Sequence, residues 1–194
     1  MTNFEEPING TINYLFDPNI LEEIDWSKIK CNFQNGVSYK KPGDGLVVRP
    51  LRDDDIHRDY LLLMSQLTKV GIVTEEQFKK RFEDMKRCEG TYYILVIEDK
   101  STNKIVGSSS LIFEQKFIHS AGQRGRIEDV VVNGDYRGKQ LGKLLVQLLV
   151  LLGELLGVYK LSLECKHDKV GFYENFGFAK DDQAFMIRRF IEKN

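Results

Sequence analysis

Apolar residues recur in two rhythms along this chain, and the switches between them mark out its elements. Runs rich in β-branched and aromatic residues predict strands at Leu46 to Arg49, Tyr92 to Glu98, Lys104 to Phe113, Arg126 to Val132, Lys160 to Glu164 and Phe185 to Ile191. Apolar positions at helical spacing predict helices over Asp53 to Leu67, Thr74 to Arg87, Leu144 to Leu156 and Lys169 to Phe176. Thr74 with Gln77 three residues later reads as a capping box, which leaves Thr68 to Val73 as an inter-helix loop. The polar turn Asp99 to Asn103 joins two strands as a hairpin. The pattern is that of a mixed α/β chain of the α+β kind, with helices leading, sheet in the middle and no internal repeat.

Residues 1 to 45 break this rhythm, with Asn, Asp, Glu and Gly scattered among apolar positions and a closing Lys40-Lys41-Pro42-Gly43-Asp44-Gly45 stretch. They read as a partly flexible N-terminal extension ahead of one domain spanning 46–194. Within the extension, Ile20, Leu21, Ile24 and Trp26 fit a short amphipathic helix that could dock on the domain or on a partner chain.

Charged residues make up 29% of the chain, yet the formal net charge is only -1, so no whole-chain field draws it to nucleic acid or membrane. Leu144 to Leu156 is the most apolar window, but Gln147, Gly153 and Glu154 interrupt it and it is too short to cross a bilayer. The opening Met-Thr-Asn-Phe-Glu-Glu has no basic region followed by an apolar one, which argues against secretion and for a cytoplasmic location. Cys31, Cys88 and Cys165 are odd in number and widely spaced, so reduced thiols are expected rather than a disulfide framework, and no ligand cluster calls for a metal.

The most informative stretch runs from Val130-Val131-Val132 through Asn133-Gly134-Asp135-Tyr136-Arg137-Gly138-Lys139-Gln140-Leu141-Gly142-Lys143 into the leucine-rich helix. Strand, basic glycine loop and helix follow without a gap. The first amides of that helix lack intrahelical acceptors, so they and the helix dipole favour an anion held over Gly138 to Gly142. A nucleotide P-loop needs four residues between its glycines and then Lys and Ser/Thr, whereas Gly134 and Gly138 have three between them and Gln140 follows Lys139. The dinucleotide pattern is absent too, because no third glycine completes Gly138 and Gly142. Arg137-Gly-Lys-Gln-Leu-Gly142 instead resembles the Arg/Gln-x-x-Gly-x-Gly/Ala signature of the GNAT acetyltransferase superfamily. Leu161 to Phe178, a strand leading to a helix that ends at Phe176-Gly177-Phe178, is similar to that superfamily's later motif.

The resemblance implies a GNAT fold: a central, mixed, mostly antiparallel twisted sheet flanked by helices and splayed where acetyl-coenzyme A binds. It implies cofactor contacts from Val130, Val131, Val132, Arg137, Gly138, Lys139, Gln140, Leu141, Gly142, Lys143 and Tyr173. Lys169 departs from the pattern, standing where many members carry Asn, and that role is not carried over. Lys116-Phe-Ile-His119, Arg126-Ile-Glu128-Asp129, Leu163-Glu164-Cys165, Met186-Ile187-Arg188-Arg189 and Leu67 to Gly71 are similar to one subgroup, the glucosamine 6-phosphate N-acetyltransferases. These enzymes move acetyl to the 2-amino group of glucosamine 6-phosphate on the route to UDP-N-acetylglucosamine. A peptide, protein or small-amine N-acetyltransferase, or a non-catalytic acyl-coenzyme A sensor, would share the cofactor loop.

A sugar phosphate wants cations for its anionic end, and Lys116, His119 and Arg188 suit it, with Thr68 adding a hydroxyl. The resemblance implies a homodimer in which some of these residues reach in from the other subunit. Glu128 and Asp129 lie in an otherwise apolar strand, where alternation puts them on opposite faces. The resemblance assigns them to the sugar; an ion pair with Arg126, Arg124 or Lys160 is the structural alternative. By position, Glu164 would hold and help deprotonate the amine, and Tyr173 would protonate the departing thiolate. Tyr173 could instead be a core aromatic with its hydroxyl tied to backbone.

Overall fold

A computed structural model of the chain describes residues 12–190. Five strands form one sheet in the order β1 (Leu46–Pro50), β2 (Tyr92–Asp99), β3 (Lys104–Gln115), β4 (Gln123–Val132) and β5 (Leu161–Ser162). The first four form an antiparallel meander, and β5 joins β4 in parallel. The crossover between β4 and β5 is α4 (Leu141–Leu155), as a parallel pair requires. On the opposite face lie α1 (Tyr60–Met64) and α2 (Glu75–Arg87). Every residue of β2 after Tyr92 is buried because both faces are covered: Leu95 and Ile97 pack with α4, while Ile94 and Val96 pack with α1 and α2.

The helix expected over Asp53 to Leu67 is instead a 3-10 turn (Asp55–Arg58) followed by α1. Two causes are visible. Asp59 takes a left-handed φ of 60°, which a continuous helix excludes. Asp55 is fully buried and accepts two bonds from the Arg49 guanidinium, at 2.7 and 2.8 Å, whose Nε donates to Glu98 at 2.6 Å. This buried network fixes the turn against β1 and β2. By contrast, α2 starts as expected, with Thr74 and Gln77 exchanging both bonds of the capping box.

The alternation assumed for β4 fails at Asp129. The pairing with β3 steps from Ser108↔Val131 to Ser110↔Glu128, so β4 carries an extra residue, and Asp129 has φ 53°. This bulge swaps the faces of the strand. Ile127 before it packs on the α4 side, whereas Val131 after it packs among α1 and α2 beside Tyr60.

Two elements near the chain's end are shorter than expected. The strand expected at Lys160 to Glu164 pairs only through Leu161 and Ser162, and the last helix is a 3-10 turn (His167–Lys169) followed by α5 (Val170–Glu174). The strand expected at Phe185 to Ile191 does not form: residues 185–190 are exposed and pair with no strand among the described residues, and Ile191 lies outside them. The 116–122 connection between β3 and β4 contains α3 (Ile118–Ala121), a distorted turn in which His119, Ser120 and Ala121 all have positive φ.

Residues 12–45 lie against the domain. Leu21 and Ile24 are buried in the α4-side core, and Leu15 joins the opposite one, with its amide donating to the Leu51 carbonyl at 2.9 Å. The short amphipathic helix expected around Ile20 to Trp26 is a pair of 3-10 turns (Pro18–Glu23 and Trp26–Lys28), each begun by an aspartate that accepts a backbone amide.

Candidate active site

The bulge of β4, the start of α4 and the end of β5 meet at one edge of the sheet. β4 and β5 share only two residue pairs, Gly125↔Leu161 and Arg126↔Ser162, and beyond them run apart. Val130 and Tyr173, on the two sides of this divergence, pack against one apolar cluster with Cys31, Val146 and Phe176. The expected catalytic tyrosine therefore lies beside the expected acyl-binding strand. Its ring meets Phe172 and Phe178 edge-on, and its hydroxyl makes no hydrogen bond among the described residues. Burial, with a smaller push from Cys165, raises its pKa above the ordinary phenol value. The hydroxyl thus keeps its proton at neutral pH.

The basic loop is organised for an anion. Gly138 has φ 80°, a conformation that would strain any other residue, and the space around it is open. Gln140 takes the N-cap position of α4 with no side-chain cap, the first turn contains no acid, and the first backbone bond runs from the Leu144 amide to the Gln140 carbonyl. The preceding amides are left as donors. Arg137, Lys139 and Lys143 have no carboxylate partner among the described residues. A Cβ at Gly142 would meet only ordinary contact, 3.7 Å from Val132, so nothing in this chain demands glycine there, whereas a phosphate lying close to the backbone does. These features fit the pyrophosphate of a coenzyme A.

Side chains of the loop do not all face this opening. Leu141 and Val131 are buried in the two cores, so they can serve a ligand only through their backbone. The Gln140 amide spans the backbone of Gln34, accepting from its N–H at 2.9 Å and donating to its carbonyl at 3.1 Å. Lys143 Nζ donates to the Asn32 carbonyl and lies 5.0 Å from the Phe33 ring centre. Behind them, buried Gln147 accepts from the Lys30 amide and the Cys31 thiol, each at 3.2 Å. Residues 30–34 thus form a strap on α4. Sequence reasoning missed it, although Gln147 alone on the buried side of an apolar helix, with Cys31 and Phe33 isolated in a polar stretch, hinted at it.

Arg126 stands between the expected substrate carboxylates. Its Nε donates to Glu128 and its terminal nitrogen to Glu164, and these bonds raise its pKa. The ion pair offered as the structural alternative is therefore present, and it also draws the two glutamates to one point beside the divergence. Asp129, at the bulge, keeps contact with solvent, but the surrounding protein and then the charge of Glu128 raise its pKa. Opposite it the hydroxyls of Ser108 and Ser109 are buried without partners among the described residues.

The expected phosphate ligands are not brought together within one chain. Lys116 pairs with Glu114 at 2.5 Å, which also holds Arg124 at 2.9 Å. His119 stacks on Tyr159 with centroids 4.2 Å apart, and Thr68 is exposed just after α1. Arg188 lies over Phe190 in the C-terminal segment, 5.0 Å from the ring centre. Among the described residues there is no group of acidic, His and Cys side chains that could hold a metal.

Comparison with known proteins agrees with this geometry. The model of the acetyltransferase (GNAT) family matches residues 58–178. A Drosophila melanogaster protein described as a probable glucosamine 6-phosphate N-acetyltransferase is 51% identical over 167 residues, covering 86% of this chain and 76% of that relative. Glucosamine 6-phosphate N-acetyltransferase 1 of Dictyostelium discoideum is 42% identical over 137 residues, covering 71% of this chain and 87% of its own. The crystal structure of glucosamine-6-phosphate N-acetyltransferase from Arabidopsis thaliana superposes with a TM-score of 0.72 at 36% identity, covering 75% of this chain and 99% of that one.

Proposed function

The chain belongs to the GNAT acetyltransferase family, and from that premise we propose that it transfers acetyl from acetyl-coenzyme A to the 2-amino group of glucosamine 6-phosphate. The products are N-acetylglucosamine 6-phosphate and coenzyme A, a supply for UDP-N-acetylglucosamine synthesis. The observation that carries this reading is the divergence of β4 from β5, with an uncapped, carboxylate-free helix start on one side and Tyr173 and Glu164 on the other.

The proposed catalytic domain is 46–194, with the described part of the extension strapped onto it. The amides from Gly138 to Lys143, with the charges of Arg137 and Lys139, would hold the coenzyme's pyrophosphate. When bound, acetyl-coenzyme A supplies an activated thioester; the rest of the chemistry belongs to the chain. Backbone amides along Val130 to Val132, on the side of β4 that β5 no longer pairs once the two strands diverge, would donate to the acyl oxygen as it gains charge. Glu164 would hold the amine and draw off its proton, directly or through water, while Arg126 keeps Glu164 and Glu128 oriented. The Tyr173 hydroxyl, held neutral by burial, would protonate the departing sulfur. Attack is direct, without an enzyme nucleophile.

Glu128 and Asp129 would bind the sugar, and its phosphate would take a hydroxyl from Thr68 together with the charges of Lys116, His119 and Arg188. Because the latter three do not converge in one chain, we propose a homodimer that completes the phosphate site. The C-terminal segment supports this: Phe185, Met186 and Phe190 are largely exposed beside Arg188. A cytoplasmic setting fits three free cysteines.

Removing Arg188 tests the assignment. Arg188→Ala should raise KM for glucosamine 6-phosphate by about tenfold, the scale of a lost charge-assisted bond, and leave KM for acetyl-coenzyme A unchanged. Equal rises in both would remove Arg188 from the phosphate site.

A further inference from the structure

Tyr136 takes part in no step described above, yet it has three attachments that converge on the basic loop. It ends the short 3-10 turn Gly134–Tyr136, which Asn133 caps by accepting the Asp135 amide at 3.0 Å. Its ring lies under Lys139, whose Nζ is 4.5 Å from the ring centre. Its hydroxyl donates to Asp99 Oδ2 at 2.5 Å, at the end of β2. Asp99 is itself fixed, because its other oxygen accepts from both the amide and the hydroxyl of Ser101, at 2.8 and 2.6 Å.

We propose that Tyr136 is a positioning residue for coenzyme A: anchored to Asp99, its ring holds the Lys139 ammonium over the loop before the ligand arrives. This rests on the acetyltransferase reading. The physical reason is entropic. An exposed lysine on a glycine loop loses rotamer freedom when it binds a phosphate, and a ring that already restrains it removes part of that loss. A cation over an aromatic face keeps its positive charge and still has N–H groups to offer, unlike a lysine paired with a carboxylate. Lys139 has no carboxylate partner among the described residues, so the ring orders it without neutralising it. The anchor persists through neutral pH. Bonds from Ser101 and then Tyr136 hold the Asp99 carboxyl near 2, so it remains an ionised acceptor throughout the working range.

The test is a double-mutant cycle on the full-length chain, read as the dissociation constant of free coenzyme A by calorimetry at low salt. Tyr136→Leu and Lys139→Met should each weaken binding by about threefold to fivefold, the range for an exposed cation–π pair, and the double variant should be no weaker than the worse single one. Steady-state kinetics should show the same rise in KM for acetyl-coenzyme A, with kcat and the KM for sugar phosphate unchanged. Tyr136→Phe keeps the ring and its packing but loses the Asp99 anchor. It should weaken binding by about twofold only while Lys139 is present, and it supplies the readout should the leucine variant fail to fold.

Multiplying effects of Tyr136→Leu and Lys139→Met would overturn the proposal, because Tyr136 would then act independently of Lys139. Unchanged affinity in the Tyr136 variants would overturn it as well. Wild-type protein that fails to bind coenzyme A would instead overturn the acetyltransferase reading on which the proposal rests.

Discussion

Asp129 shows how a single residue can be kept against the interest of stability. It stands at a bulge with φ 53°, and burial raises its carboxyl pKa above the ordinary value of 3.8. A raised folded-state value means that the native chain binds the proton more tightly than the unfolded chain. Stability therefore falls as pH rises through the window above 3.8, by an amount kept small because the side chain still reaches solvent, which screens the charge. Asparagine tolerates the same left-handed backbone and carries no charge. Asp129→Asn should then raise the melting midpoint at pH 7 slightly, an advantage that disappears below the ordinary carboxylate pKa, while raising KM for the sugar phosphate. Calorimetric scans at pH 7 and pH 3.5 with parallel kinetics check both halves. A variant less stable than the parent at pH 7 would show that the carboxylate supports the bulge. Arg126 is a neighbouring case, since a guanidinium shared by Glu128 and Glu164 is both a structural pair and a means of aiming two carboxylates at one place.

At the scale of elements, the features that matter most are interruptions: the bulge that ends regular β3–β4 pairing, the two-pair contact of β4 with β5, and the strap from Lys30 to Gln34 on α4. Each opens or frames the same edge. The C-terminal segment belongs here too, because an apolar stretch with nothing to pair with is an unfinished element. If a second copy completes it, sedimentation velocity at micromolar concentration should show one species at twice the chain mass, and removing residues 184–194 should yield a monomer that still binds coenzyme A. A monomeric parent would contradict the shared phosphate site.

Across the whole molecule, what could be read from the sequence divides along physical lines. β1 to β4, α2 with its capping box, and α4 followed from local patterning, because burial on one or both faces imposes periodicity. The basic loop and Tyr173 stand out by motif alone; in the fold the loop opens α4, and Tyr173 packs in one apolar cluster with Val146 of that helix. What escaped depended on distant partners. The break before α1 comes from Arg49 and Glu98 capturing Asp55, and the bulge at Asp129 carries no signal in an unbroken Glu-Asp-Val-Val-Val run. Tyr136 was invisible because its meaning lies in Asp99, on another hairpin. The central claim is that this edge transfers acetyl to a phosphorylated amino sugar. Coenzyme A thiol release from acetyl-coenzyme A, followed with glucosamine 6-phosphate, unphosphorylated glucosamine and a mixed peptide pool in separate reactions, tests it most directly. Release with the sugar phosphate alone is the predicted result; release with peptides and none with the sugar phosphate would contradict it.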